Sequence, residues 1–370
     1  MTMTGYPAIA VGGGLAGAAF AIELARNGHP VIVFERAPCA HHKVCGELLS
    51  GDALGLVQSF GLDLKALGAS VVSKVRLVSG SKRAFIPPPS SAAGLSRYRL
   101  DEALLAAAEQ AGAVVMRGTR VLRLEPQSDA ILIRTEKRVW RASAAALATG
   151  KHLLRGIPRR RGEMVGFKMH LDSPVALQEL ADLVQLVFFR GGYMGACLVE
   201  HDTLSIAWVM REELVRSVGS SWSAQEHYLA RQSDLIGDLL CRARPLFNKP
   251  MAIGSIPYGY LRFDAIAPGV FAVGDQLAVV PSFTGDGMAI ALQTGLDAAR
   301  AVLNGLSAAG YHRELIPRLQ RQFHVARALG GLLDTRVTSP FIVAAAAAVP
   351  SLATKMAAIA RLRYRVGRIG

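Results

Sequence analysis

Pro7 to Glu35 reads PAIAVGGGLAGAAFAIELARNGHPVIVFE, and this stretch decides the fold. AIAVG is a short apolar run of the kind a buried parallel strand makes. Gly12-Gly13-Gly14-Leu15-Ala16-Gly17 follows it directly, and LAGAAFAIELARNG then has helical periodicity with Gly28 as its stop. PVIVFE is a second buried strand, ending on Glu35, 18 residues after Gly17. Strand, glycine turn, helix and strand make a βαβ unit of Rossmann type. Gly12 permits the tight turn, Gly14 lets the backbone approach a pyrophosphate, and Gly17 lets helix and strand pack closely. The helix start, at Leu15 and Ala16, offers free N–H groups to the phosphates. Glu35, followed by Arg36, stands where an acid accepts hydrogen bonds from a ribose. The reading is a dinucleotide site.

A second glycine corner lies far downstream. GVFAVGDQLAVVPSFTGDGMAIALQTG places Gly274-Asp275 at a strand end, then Pro281, then Gly285-Asp286-Gly287-Met288 opening a helix. This resembles the second FAD fingerprint of the flavoprotein superfamily that contains aromatic hydroxylases, geranylgeranyl reductases and flavin-dependent halogenases. The resemblance implies FAD as cofactor, a ribityl hydroxyl on Asp275, and an isoalloxazine lying against Pro281, Gly285, Gly287 and Met288. SRYRLDEALLAAAEQAGA resembles the family's R-x-x-L-D-x-x-L helix, which assigns Arg97 to the FAD phosphates and Val121 to the adenine. Asp101 and Glu102 are expected in that helix's first turn.

The segment RAPCAHHKVCGELLS carries Cys39, His41, His42 and Cys45. Their spacing maps to no zinc site, so no metal is expected. KVCGELLS resembles the K-x-C-G-G/E stretch of geranylgeranyl reductases, and halogenases carry a related glycine–glutamate pair. By that resemblance Cys45 and Gly46 lie beside the flavin, with Cys45 a proton donor or polarity-setting group; a small buried hydrophobe is the other reading. FRGGYMGACLVE resembles a reductase G-G-Y stretch and points to Tyr193 as a substrate-orienting hydroxyl, or else a sheet-edge tyrosine beside a bulge. Lys168, His170, Tyr258 and Tyr260 are polar candidates without a specific signal. Two departures stand out: Ala148-Thr149-Gly150-Lys151-His152 replaces the hydroxylases' Asp-Gly pair, and the halogenases' W-x-W-x-I-P is missing. Gly150 nonetheless belongs with the cofactor set. There is no second G-x-G-x-x-G, so NAD(P)H or another electron donor would visit only transiently.

The expected fold is α/β: a glutathione-reductase-like, Rossmann-type FAD-binding domain with an inserted antiparallel β-sheet substrate domain and C-terminal helices. Residues 1–155 form the first FAD-binding part, 156–262 the β-rich substrate domain, 263–330 the second FAD-binding part, and 331–370 a basic helical segment. In the middle region MVGFKMHLD, LVQLVFFRGGYMGACLVEH and TLSIAWVM alternate like an antiparallel sheet with one wet face, and one helix is expected over Ser223–Arg242. Two helical segments are expected to close the chain.

Length and composition fit this picture. The 370 residues are 51% apolar, with four cysteines and a net charge of +14. Four cysteines in so long a chain make no disulfide scaffold and suit a reducing cytoplasm. The basic residues are not interleaved with exposed aromatics, so nucleic acid is not an expected partner. The tail carries Lys355, Arg361, Arg363, Arg365 and Arg368 after the apolar run FIVAAAAAV. Such a segment suits peripheral contact with the inner face of a membrane; a helix docked on the body with solvated arginines is the bland alternative. Oligomeric state is not legible.

Two activities follow. The first is a flavin monooxygenase that hydroxylates or epoxidises a hydrophobic (phenolic, polyketide or isoprenoid) substrate through a flavin C4a-hydroperoxide. The second is a geranylgeranyl-reductase-like enzyme that saturates lipid C=C bonds by hydride transfer from FAD. The cysteine segment and the missing Asp-Gly pair favour the second, whereas the general frequency of such activities and the lack of a further reductase motif in the middle region favour the first, towards which the reading leans.

Overall fold

The computed structural model describes residues 7–333 and 338–361. Ala8–Val11 is the central strand of a five-stranded parallel sheet, ordered Val270–Ala272, Ala145–Leu147, Ala8–Val11, Val31–Phe34, Val114–Met116. Its alternation shows why every residue is apolar. Ala8 and Ala10 pack with the helix Leu15–Arg26 and its neighbours, whereas Ile9 and Val11 face a three-stranded antiparallel meander, Val121–Pro126, Ile131–Thr135 and Val139–Ala142. A strand covered on both faces has no wet side to signal with polar residues. The last strand, Val270–Ala272, comes from the distal half of the chain, so the sheet is assembled from both ends.

Leu15–Arg26 (LAGAAFAIELAR) is small-residue-rich because another helix crosses it closely. Gly287–Leu303 packs on it, and a side chain at Gly295 would stand 2.1 Å from the Ala16 carbonyl oxygen. Arg300 Nε pairs with Glu23 Oε1 at 3.0 Å across the same crossing.

The second sheet is mixed. Met164–Asp172, Leu204–Arg211, Gly192–Leu198 and Leu183–Phe189 run antiparallel in that order, and Arg244–Pro245 and Met251–Ile256 both pair with the outer strand. Lys74–Ser79 then joins Leu183–Phe189 in parallel, with Lys82–Ile86 at the edge. The layer therefore draws two strands from the residues before 156. The expected wet face is absent. One face (Phe167, Met169, Trp208, Met194) is covered by helices Trp222–Ala230 and Asp234–Leu240; the other faces a cavity. These two helices replace the single one expected over Ser223–Arg242. Ser233 adopts an extended conformation (φ −168°) between them, and buried Trp208 donates from Nε1 to Gln225 Oε1 at 2.7 Å to seat the first.

Three helices, not two, follow Leu303 among the described residues: Ala308–Leu333, Thr338–Ala348 and Pro350–Ala360. The second lies against the sheet edge Lys82–Ile86, with Val343 and Ala346 packed on Ala84 and Ile86. Arg363, Arg365 and Arg368 fall outside the described residues. No single helix among the described residues is long and apolar enough to cross a membrane.

Candidate functional site

The first glycine corner is built by exclusion of side chains. Gly12 has φ +114°, and a Cβ there would lie 2.5 Å from the Ala148 carbonyl oxygen; one at Gly17 would lie 1.9 Å from the Gly12 carbonyl oxygen. At Gly14, the helix N-cap, the nearest atoms to such a Cβ are two cations, Arg97 Nη2 at 3.5 Å and Lys43 Nζ at 3.6 Å. No side chain caps this helix, so its first N–H groups stay free for an anion. Both cations lean on one buried carboxylate. Arg97 grips Asp101 through Nε (2.6 Å) and Nη2 (2.9 Å), and Lys43 meets the same carboxylate at 2.6 Å. Burial opposes the Asp101 charge, but Arg97 and Lys43 outweigh it and hold the carboxyl below its usual range. Two cations against one carboxylate leave one positive charge beside a free helix N-terminus, which is what a pyrophosphate requires. Asp101 thus does a different job from the one expected: the helix starts at Arg97, capped by the Ser96 hydroxyl, and has no acid in its first turn.

Glu35 ends its strand almost fully buried and accepts from the N–H groups of Gly13 and Ala37, both at 2.9 Å. Those two bonds fix the carboxylate at the end of the second strand, against the first glycine turn. Arg36 Nη2 lies 2.8 Å from His152 Nε2.

The second corner meets the first. Gly274 (φ +55°) brings the distal turn onto Ala16, 3.3 Å from a Cβ placed there, and its N–H donates to Thr294 Oγ1 at 2.8 Å. Asp275 is ion-paired with Lys151 Nζ at 3.0 Å; burial opposes the Lys151 charge, and Asp275 raises its pKa nonetheless. Gln276 Nε2 donates to Thr149 Oγ1, Gly150 O and His152 O at 2.7–2.9 Å. The loop that replaces the hydroxylases' Asp-Gly pair is therefore stitched to the distal turn by one amide. Gly285 (φ +75°) then turns the chain into the helix that starts at Gly287, whose N-cap side chain makes no capping bond.

Every cofactor residue expected from sequence except Gly17 and Pro281, and both Cys45 and Tyr193, lies on the wall of one cavity of about 1150 Å³. Gly17 sits beneath Gly12. Pro281 is buried in its turn, where its carbonyl accepts from the Thr284 hydroxyl at 3.0 Å. Tyr193, Gly195 and Cys197 share the cavity side of their strand by simple alternation. Tyr193 belongs to a three-hydroxyl cluster with Ser282 and Tyr258, whose own oxygens are 2.6 Å apart. Burial raises the Tyr193 phenol well above its usual range, and burial pushes the Cys197 thiol up to about 12.

The residue that organises this wall was quoted in the CGE motif but not assigned a role. Glu47, fully buried, receives Lys168 Nζ, His170 Nε2 (2.6 Å), Ser205 Oγ (2.8 Å) and the Arg97 backbone N–H (2.7 Å). Burial alone would raise its pKa; the hydrogen bond from His170 and the Lys168 charge reverse that and lower it to about 2. Lys168 and His170, named from sequence without a role, are Glu47's partners. His42 stacks on Tyr98 and meets His170 edge-on, each at 4.9 Å. Burial, with Lys168 and His170 beside it, lowers its pKa to about 4, so it is a neutral imidazole at neutral pH. The ligating atoms of His42, Glu47 and His170 lie within 4.8 Å of one another, but the Lys168 ammonium already supplies the cation there. Cys39 is exposed and stands apart from that group. Cys45 Sγ accepts from the Glu47 N–H at 3.4 Å.

Comparison with known proteins agrees with this geometry. Residues 6–138 match the family model described as FAD binding domain. Protein FixC of Escherichia coli K12 is 23% identical over 381 aligned positions, covering 90% of this chain and 83% of FixC. The flavin-dependent brominase Bmp2 superposes with a TM-score of 0.79 at 16% identity, covering 97% of this chain and 94% of that one. A geranylgeranyl bacteriochlorophyll reductase-like protein from Thermoplasma acidophilum gives 0.75 at 18% identity, covering 94% and 91%. These structures share the fold. Residues 6–138 thus match an FAD binding domain, and the chain as a whole has the fold of these flavoproteins.

Proposed function

We propose that the protein is a flavin monooxygenase that places one oxygen atom on a hydrophobic substrate of phenolic, polyketide or isoprenoid character. The cofactor residues fit FAD: Gly14, Arg97 and Lys43 for the pyrophosphate, Glu35 for the ribose, Asp275 for the ribityl chain, and the helix opening at Gly287 for the ring. FAD supplies the two-electron redox centre. The chain's own contribution is to bind, to exclude water and to position. The cavity beyond the glycine corners is lined by Val75, Leu77, Leu186, Phe188, Ile253 and Ile256, which solvate an aliphatic substrate and leave water few partners.

The observation that carries oxygen transfer over C=C reduction is the state of the protons along this wall. Glu47 is held ionised by four donors, and the Tyr193 and Cys197 protons are held by burial. Saturating an unactivated double bond needs a proton delivered to carbon, whereas oxygenation does not ask one of the wall. In the balanced reaction one atom of O₂ enters the substrate and the other leaves as water. Two electrons and two protons complete the balance: NAD(P)H or another transient donor supplies the electrons, with one proton when hydride is transferred, and solvent supplies the remainder.

One observation favours the reductase alternative: Cys45 lines the cavity within the K-x-C-G-E stretch, and a reductase-like protein shares the fold. The test is product analysis with long-chain phenols and polyprenyl lipids, with ¹⁸O₂ and without oxygen. The proposal expects one labelled oxygen in the product and no reaction anaerobically. Gain of two hydrogens without O₂, abolished by Cys45→Ala with FAD retained, would establish the reductase instead.

A further inference from the structure

The exposed apolar side chains are not evenly spread. Among the described residues, six of sixteen large ones (Leu332, Phe341, Val349, Leu352, Met356, Ile359) lie within residues 332–359. Four of these six, Leu332, Val349, Leu352 and Met356, also line the cavity. The cavity that begins at the glycine corners therefore opens to the surface among the C-terminal helices, and its mouth is aliphatic. Phe341 (71% exposed) and Ile359 (56% exposed) stand outside the cavity wall and flank that mouth.

The two helices cannot cross a bilayer singly. Each has eleven residues, about 16 Å at 1.5 Å per residue against roughly 30 Å of hydrocarbon. They bend by 117° at Val349–Pro350. A bent apolar pair of that length suits a surface layer, its side chains reaching into the headgroup–acyl boundary. Charge agrees. Residues 338–370 contain five basic residues and no acidic one. Lys355 is exposed on the second helix, and Lys82 is exposed at the start of the strand against which the pair packs.

We infer that the C-terminal helix pair docks on an anionic lipid surface and presents the cavity mouth to the bilayer, so that a membrane-dissolved substrate enters without crossing water. A second copy of this chain is a poorer occupant, because it would bring two such basic segments together. The inference takes the cavity as the substrate site, as proposed above. It is tested without turnover, so a failed oxygenation assay leaves it standing.

The experiment is co-sedimentation of the FAD-loaded protein with phosphatidylcholine vesicles, with or without phosphatidylserine. The expected result is binding to the anionic vesicles that falls steeply with added salt and is weak on the neutral ones. Phe341→Asp with Ile359→Asp is expected to weaken it at least about tenfold, with flavin absorbance and circular dichroism unchanged. Lys355→Glu should weaken binding less. Absence of binding to either vesicle, or equal binding to both, overturns the inference. So does a wild-type dimer that the Phe341→Asp, Ile359→Asp variant makes monomeric while vesicle binding persists.

Discussion

Glu47 occupies the left-handed region (φ +57°), a conformation that costs a residue with a Cβ about 1 kcal/mol. It is held there by four donors to its carboxylate and by the Leu95 N–H on its carbonyl at 3.0 Å. Removing the charge strands a buried ammonium. Glu47→Gln is therefore predicted to destabilise the protein by about 3–5 kcal/mol, and Glu47→Gln with Lys168→Met by much less, both read from urea unfolding. The folded pKa lies below the ordinary value of 4.5. Its stabilisation is accordingly complete above that value and is lost as pH falls from about 4.5 towards 2; Glu47→Gln should remove that part of the acid transition. Sequence reached the CGE stretch because a cysteine there resembles a family motif. It did not reveal the role of Glu47, because its partners Lys168, His170 and Ser205 are over 120 positions away and meet it only through strand register. Lys43 stayed hidden for the same reason: its meaning lies in proximity to Gly14.

At the level of elements, the helix Gly287–Leu303 follows the second glycine corner and carries a buried carboxylate with no ion pair among the described residues. Asp297 accepts from Gln293 Nε2 at 2.8 Å, and burial raises its pKa to about 6. The folded value lies above the ordinary 3.8, so the folded state favours the protonated form. Stability is lost as pH rises from about 3.8 through 6 and stays low above that. Asp297→Asn is predicted to raise stability at pH 8 by about 2–3 kcal/mol and to leave it nearly unchanged at pH 4. Equal effects at both pH values would show that folding does not raise the Asp297 pKa. The long helices and the parallel strands were legible because burial on a fixed period writes itself into residue type. The split of the expected helix Ser223–Arg242 was not, since the break at Ser233 is a backbone conformation that several polar residues tolerate.

Over the whole molecule, two glycine corners about 260 residues apart in sequence close on one cavity, joined by Gly295 against Ala16 and by Gln276 against the Thr149–His152 loop. Each corner was readable by itself. Their meeting place was readable only by resemblance, and the mixed sheet that roofs it was not, since strands Lys74–Ser79 and Lys82–Ile86 look local in sequence. The central claim is that this junction holds one FAD through Gly14, Lys43 and Arg97. Titration of FAD-free protein, followed by quenching of flavin fluorescence, tests it directly. The account predicts saturation at one FAD per chain, with affinity about 10–100-fold weaker in Arg97→Met, the cost of one charge-assisted contact. Absence of quenching by wild-type protein, or equal affinity in Arg97→Met, would contradict it.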